Sequence, residues 1–142
     1  MGSRLKNRVA IVTGAGRGIG RGIAMLLAAE GAAVVVNDLG GNVDGSGASA
    51  TPAEEVVAAI KAHGGSAVAN ADSVAEYKAA ENIIQTAVKE FGRIDILINV
   101  AGILRDRMVF NLSEDDWDSV IKVHLKGTWN TCRHASGLMR RR

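Results

Sequence analysis

The sequence predicts an α/β fold, a doubly wound parallel sheet with four strands and four helices. Three observations carry this. Short apolar runs alternate with amphipathic helical stretches along the chain. The apolar runs are nearly continuous, as in Val34-Val35-Val36 and Ile94-Asp95-Ile96-Leu97-Ile98, the pattern of parallel strands covered on both faces. A glycine-rich turn, Thr13-Gly14-Ala15-Gly16-Arg17-Gly18-Ile19-Gly20, joins the first apolar run to the first helical pattern. Right-handed crossovers then place a ligand outside the strand C-termini.

In chain order, strands are expected at 8–13, 33–37, 66–70 and 94–99, and helices at 18–30, 52–63, 74–91 and 114 to about 139. The first strand is centred on Val9-Ala10-Ile11-Val12. Thr51-Pro52-Ala53-Glu54 reads as a capping box with proline at the first helical position. Ser73-Val74-Ala75-Glu76 reads as a second box, and Ser113 with Asp116 as a third. Gly31, Gly64 and Gly92 stand where left-handed helix stops belong. In the third helix Tyr77, Ala80, Ile84, Ala87, Val88 and Phe91 share an apolar side. Leu39–Ala50, with Gly40, Gly41, Gly45 and Gly47, is long for such a connection; it reads equally as a surface loop or as an edge of the ligand site.

The 142 residues, 47% hydrophobic and 23% charged, suit one globular domain with a real core. Arg140, Arg141 and Arg142 together exceed the net charge of +2, so no nucleic-acid surface is expected. Cys132 is the one cysteine, which excludes a disulfide framework and suits a reducing compartment. Sharing a helical face with Leu125, Thr128 and Ala135, it is expected to be a small core residue. The first strand begins within about eight residues, leaving no room for a signal peptide, and no apolar run reaches membrane-spanning length. A cytoplasmic location follows as the expectation. No carboxylate–histidine spacing suggests a metal site, and His63 and His134 read as surface residues near helix ends.

A glycine turn between strand and helix is a way to hold phosphate. Backbone N–H groups at the helix N-terminus are unpaired and aim at the anion, and the helix dipole adds favourable charge. The key glycines are Gly14, Gly18 and Gly20. Ile19 breaks the Gly-x-Gly-x-x-Gly register that would start at Gly14, and glycines alone also serve plain turns. Asp38, ending the second apolar run, lies near the offset of roughly 20 residues expected of the acid that binds a ribose 2′-hydroxyl. A carboxylate there favours NAD, because it would repel the 2′-phosphate of NADP. Arg17 argues the other way, since a basic residue in the turn can pair with that phosphate.

These residues together resemble the short-chain dehydrogenase/reductase family, whose dinucleotide domain is Rossmann-like. The resemblance rests on Thr13-Gly14-x-x-x-Gly18-x-Gly20, Asp38, Asp72, and Asn99-Val100-Ala101-Gly102. Asn37-Asp38-Leu39-Gly40-Gly41, Gly102-Ile103-Leu104-Arg105-Asp106-Arg107, and Trp117-Asp118-x-Val120-Ile121-x-Val123-His124-Leu125-x-Gly127 resemble one branch. That branch holds the (3R)-hydroxyacyl-CoA dehydrogenase units of peroxisomal multifunctional enzymes type 2. The resemblance implies that Gly14, Arg17, Gly18, Ile19 and Gly20 line the pyrophosphate and nicotinamide side. It implies that Asp38 takes the adenosine ribose, that Asp72 with Ser73 approaches adenine, and that Asn99, Ala101 and Gly102 lie near the adenine ribose. Val100 departs from the family's Asn-Asn-Ala-Gly, which puts local bracing of the sheet in question. Arg105, Asp106 and Arg107 would border an acyl-CoA site or simply be solvated.

The family's chemistry needs a tyrosine, a lysine four residues later and a serine on the next strand. The one tyrosine here, Tyr77, is followed four residues on by Glu81, and its place on an apolar helix face suggests packing. No catalytic residue is therefore assigned. The Ser and Tyr-x-x-x-Lys would lie beyond Arg142, so the chain is expected to be a fragment of a dehydrogenase domain. His124 falls where most relatives carry an asparagine of the proton relay; relay and packing both remain open for it. Three readings follow: an oxidoreductase acting on an alcohol, ketone or acyl-CoA substrate; a non-catalytic dinucleotide-binding half needing a complementary chain; or a product without function. The open edge of the fourth strand and an uncovered last helix predict a homo-oligomer or self-association.

Overall fold

The computed structural model describes residues 2–42, 44–47 and 51–141. Four strands, β1 (Val9–Val12), β2 (Ala33–Asn37), β3 (Ser66–Asn70) and β4 (Ile96–Ile98), form one sheet in the order β3-β2-β1-β4. All pairings are parallel, with Val9 opposite Ala33, Ala10 opposite Ile96, and Asn37 opposite Asn70. Helices α1 (Gly18–Ala29), α2 (Thr51–Ala62) and α3 (Tyr77–Phe91) connect the strands. After β4 come a single 3₁₀ turn (Val109–Asn111), α4 (Glu114–Ile121), a π-helical segment (Lys122–Lys126) and α5 (Gly127–Arg140). The backbone stays helical from Ile121 through Gly127, so α4 to α5 is the fourth expected helix, interrupted by one wider turn.

Alternation along the strands builds two cores. Ala10, Val12, Val34 and Val36 pack with Ala24, Ala28, Val56 and Ile60 of α1 and α2. Val9, Ile11 and Val35 face the other way, onto Ile83, Ile84 and Ala87 of α3 and Ala135 of α5. Burying each large aliphatic side chain contributes about 1.5–3 kcal/mol, and both sheet faces are covered, as continuous apolar strands require. The chain winds outward from β1 through β2 to β3, then returns to β4 on β1's other side. Strand order therefore reverses at β1, and a crevice opens there beyond the strand C-termini.

Several local expectations are corrected. α3 begins at Tyr77, not 74. The Ser73 hydroxyl accepts the Ala75 N–H and makes a short turn, while the N-cap residue Glu76 gives no side-chain cap. Its carboxylate instead accepts from Lys122 Nζ at 2.7 Å. Thr51 already lies within α2, so its cap position falls outside the described residues. The box at Ser113 and Asp116 forms in both directions. Gly31, Gly64 and Gly92 all adopt positive φ. Cys132 is exposed rather than in the core. The buried line of α5 runs through Gly127, Asn130, Thr131 and Ala135, and Cys132 sits on its flank. The Tyr77 ring packs as the sequence suggests, stacked on Trp129 at 5.7 Å and against His134 at 4.3 Å.

Candidate dinucleotide site

β1 delivers the glycine turn to the switch point. The buried Thr13 hydroxyl accepts the N–H groups of Val100 (3.1 Å) and Ala101 (3.2 Å), tying the turn to the segment after β4. Gly14 has φ +61°, and a Cβ there would lie 2.8 Å from the Ala101 backbone. A Cβ on Gly20 would collide with the Gly14 carbonyl, so α1 starts hard against the turn only because position 20 is glycine. Side chains are thus excluded where backbone N–H groups gather at the α1 N-terminus.

Asp38, just past β2, faces this turn. Its Oδ2 accepts from Gly16 N at 2.8 Å and its Oδ1 from Gly40 N at 2.6 Å. Both oxygens are held by backbone donors, and each retains lone-pair capacity for a hydroxyl. Beside it, Asn37 and Asn70 join the ends of β2 and β3. Asn37 Nδ2 donates to Asn70 Oδ1 (2.8 Å) and to the Asp72 carbonyl (2.9 Å), and Asn70 Nδ2 donates to Asp72 Oδ2 (2.8 Å).

These parts enclose a cavity of about 410 Å³, within the ~300–1,000 Å³ usual for small-molecule sites. Of the residues singled out by sequence, Gly14, Arg17, Asp38, Asp72, Ser73, Ala101 and Gly102 line it. Gly18, Ile19, Gly20 and Asn99 do not. Ile19 is 77% exposed at the start of α1, and Gly20 is buried beneath the turn. Gly18 has φ +56° and open space where a Cβ would stand. The Asn99 side chain turns toward α5, its Oδ1 accepting from Thr131 Oγ1 at 2.6 Å. Bracing around Val100 runs through this bond and through Thr13, while the Val100 side chain packs on the α1–α2 core.

The arrangement supports a dinucleotide-binding reading, and comparison with known proteins identifies the family. A family model described as short chain dehydrogenase matches residues 8–142. The chain belongs to the short-chain dehydrogenase family. A short-chain type dehydrogenase/reductase of Mycobacterium tuberculosis is 53% identical over 131 residues, covering 92% of this chain and 46% of that protein. The peroxisomal multifunctional enzyme type 2 of Mus musculus is 49% identical over 132 residues, covering 93% and 18%. A crystal structure of a short chain dehydrogenase from Mycobacterium avium superposes with a TM-score of 0.87 at 55% identity, covering 96% of this chain and 49% of that one. The chain thus spans about half the length, or less, of these relatives.

The family depends on NAD(P), and the residues present fit such a group: a backbone cradle that a Cβ would fill, and a carboxylate with open lone pairs opposite it. His124 projects from the π segment onto Gly102, where a Cβ would collide with its ring. Its Nε2 lies 3.1 Å from Ile103 N and 2.9 Å from Ile103 O. Arg105, expected at the rim, is a crossbar. Its Nε donates to the Asp44 carbonyl at 2.8 Å, and Nη1 reaches Asp115 (2.9 Å) and Ser119 (3.2 Å) of α4. The Ser46 hydroxyl holds the Asp44 carboxyl below its ordinary pKa, Lys122 does the same for Glu76, and the Ser113 N–H for Asp116.

The sequence reading gave no role to Gly16, Asn37, Asn70 or Lys122. Gly16 was hidden among better-spaced glycines; a Cβ on it would lie 2.7 Å from Asp38 Oδ2. Asn37 carried a usable signal, a polar residue closing an apolar strand. Among the described residues no group of three or more His, Cys, Asp or Glu could hold a metal ion. No helix among them is long and apolar enough to cross a membrane.

Proposed function

We propose that this chain forms the dinucleotide-binding part of an NAD-dependent oxidoreductase acting on a hydroxyl or ketone substrate, with 3-hydroxyacyl-CoA the favoured class. The single observation carrying the cofactor reading is the Asp38 carboxylate, clamped by Gly16 and Gly40 opposite the glycine turn in one cavity. Held there, it accepts hydrogen bonds from ribose hydroxyls and repels a 2′-phosphate. Arg17 lines the same cavity, but its side chain is exposed and makes no ion pair among the described residues, so the pinned charge outweighs the solvated one. The substrate class rests on similarity to enzymes such as the hydroxyacyl-CoA dehydrogenase ChsB1 of Mycobacterium tuberculosis, 43% identical over 136 residues and 41% covered.

Bound dinucleotide supplies or accepts the hydride. In this reading Gly14 and the α1 N-terminus hold the pyrophosphate, with Gly18, Ile19 and Gly20 toward the nicotinamide. Asp38 holds the ribose, with Ala101, Gly102 and Asn99 on its far side, and Asp72 and Ser73 face the base. His124 serves as a clip between the π segment and Ile103 rather than as a proton relay, because its Nε2 is already engaged by that backbone. The Tyr77 ring stacks on Trp129 and tilts against His134, and it has no lysine four residues on. These 142 residues alone therefore bind cofactor without turnover, the second reading that the sequence leaves open. A cytoplasmic setting suits the exposed thiol of Cys132, which cell fractionation tests. Titration with NADH, read by fluorescence and melting temperature, is expected to show saturable binding, with NADPH much weaker. No response at millimolar NADH overturns the cofactor reading; turnover of a hydroxyacyl-CoA by this chain overturns the assignment of no acid–base group.

A further inference from the structure

A closely bonded polar network lies under the cavity, where β2 and β3 end. Asn37 and Asn70 are register partners across the last rung of that pair, and Asn37 is only 2% exposed. An asparagine at this depth costs stability unless its amide is satisfied, and here the bonds form a directed chain. Asn70 Oδ1 accepts from Asn37 Nδ2 (2.8 Å) and from Asp72 N (2.9 Å). Asn70 Nδ2 donates to Asp72 Oδ2 (2.8 Å) and Thr86 Oγ1 (3.2 Å). All four hydrogen-bonding capacities of the Asn70 amide are used. Asn37 adds a second hold on the same residue through the Asp72 carbonyl (2.9 Å).

Asp72 is therefore gripped at its N–H, its carbonyl and one carboxylate oxygen. Among the described residues Oδ1 accepts no hydrogen bond, and Asp72 lines the cavity. A carboxylate only accepts, so the remaining oxygen of this cavity-lining residue rewards a ligand donor that reaches it and penalises a ligand acceptor. The base end of a dinucleotide offers that choice at its purine 6-position, which is an amine in adenine and a carbonyl in hypoxanthine.

We propose that Asn37 and Asn70 are positioning residues that lock Asp72 into reading a 6-aminopurine, making this pair the source of the cavity's selectivity for adenine over 6-oxopurine dinucleotides. The proposal rests on the cavity taking the adenosine half of a dinucleotide. It concerns how the carboxylate is held, which neither the ribose contact nor the glycine turn determines.

The test is a binding titration of the whole chain with NADH and with its hypoxanthine analogue, using the parent, N70A, N37A and D72A. The parent is expected to prefer NADH by roughly ten- to a hundredfold, the worth of a hydrogen bond to a charged group. D72A should abolish the preference. N70A and N37A should reduce it to about threefold or less, while their affinity for the hypoxanthine analogue stays within about threefold of the parent's. A merely structural role would weaken both ligands alike and leave the ratio unchanged, and that outcome overturns the proposal. Should N37A fail to fold by circular dichroism, the half-buried N70A decides alone. If the parent binds neither dinucleotide, the cofactor reading fails and the proposal with it; if it binds both equally, only the proposal fails.

Discussion

Replacing Gly16 with alanine separates the holding of Asp38 from the folding of the domain. The new Cβ would stand 2.7 Å from Asp38 Oδ2 and 2.7 Å from Pro52 Cβ, where carbon contacts ordinarily settle near 3.5–4.0 Å. Something must yield by roughly 1 Å, and overpacking of a buried position costs about 1–3 kcal/mol. Pro52 is fixed in α2, so the carboxylate yields and the 2.8 Å bond from Gly16 N is lost. A hydrogen bond to a charged group contributes about 1.5–3 kcal/mol. Asp38 is half-buried, so the lower end applies, about a tenfold loss in NADH affinity. Urea unfolding followed by circular dichroism measures the stability change, and NADH fluorescence titration the affinity. The decisive variant is the double substitution with Asp38→Ser, which removes the displaced oxygen. In that background G16A should cost no more than about twofold in affinity, a coupling above the ~0.3–0.5 kcal/mol scatter of independent sites. Full additivity, or parent-like NADH binding by G16A, refutes the assigned link between turn and carboxylate.

Thr13→Val keeps shape but removes the acceptor shared by two backbone N–H groups; urea melts should show a loss of about 2–6 kcal/mol, at about 1–3 for each unsatisfied group. Ser113→Ala removes the cap of α4 and should cost about 1 kcal/mol in the same melts. The capped partner Asp116 has a lowered pKa in the fold, caused first by the Ser113 N–H. Its contribution is present above the ordinary carboxylate value and lost as pH falls through the lowered one, so an acid titration of α4 helicity should show a low-pH loss that D116N lacks. Arg105→Met cuts the tie between the Asp44 carbonyl and α4; hydrogen exchange at Ser46 and in α4 should speed up, with NADH affinity falling severalfold. Trp117, Leu125 and Trp129 are more than half exposed on the last helices, so sedimentation should show self-association of the chain that L125E reduces.

The strands were legible because a parallel strand covered on both faces must be apolar throughout, and nothing else in the sequence competes with Val34-Val35-Val36. Caps were less legible because hydroxyls and carboxylates near a helix start have other partners available. Ser73 and Glu76 match the box pattern, yet one closes a turn on Ala75 and the other pairs with Lys122, 46 residues away. Ser113 and Asp116 form the box that their spacing implies, because Arg105 approaches only the other Asp116 oxygen, Oδ1, at 3.7 Å and leaves Oδ2 to the Ser113 N–H. Cys132 was misread because assigning a helical face from spacing requires knowing which line points at the sheet. That line follows Asn130, Thr131 and Ala135, two of them polar and so invisible to an apolar count.

The same reason limits what spacing reveals of the site. Asp38 could be located from its distance to the glycines, since both ends of one strand–helix–strand unit are local. What holds its carboxylate could not, because Gly16 N reaches it only after β1 and β2 pair and bring residues 22 apart into contact. Asn37 reaches the Asp72 carbonyl across 35 residues, and Thr13 reaches Val100 across 87. Each contact joins strand tips that become neighbours only in the assembled sheet. Strand order β3-β2-β1-β4 places the tips of β2 and β3 on one side of the crevice and that of β4 on the other. The Asp38 and Asp72 carboxylates and the glycine turn therefore converge on one cavity because of topology, and a substitution that leaves every motif intact while loosening those tips, such as N70A, should change what the cavity selects.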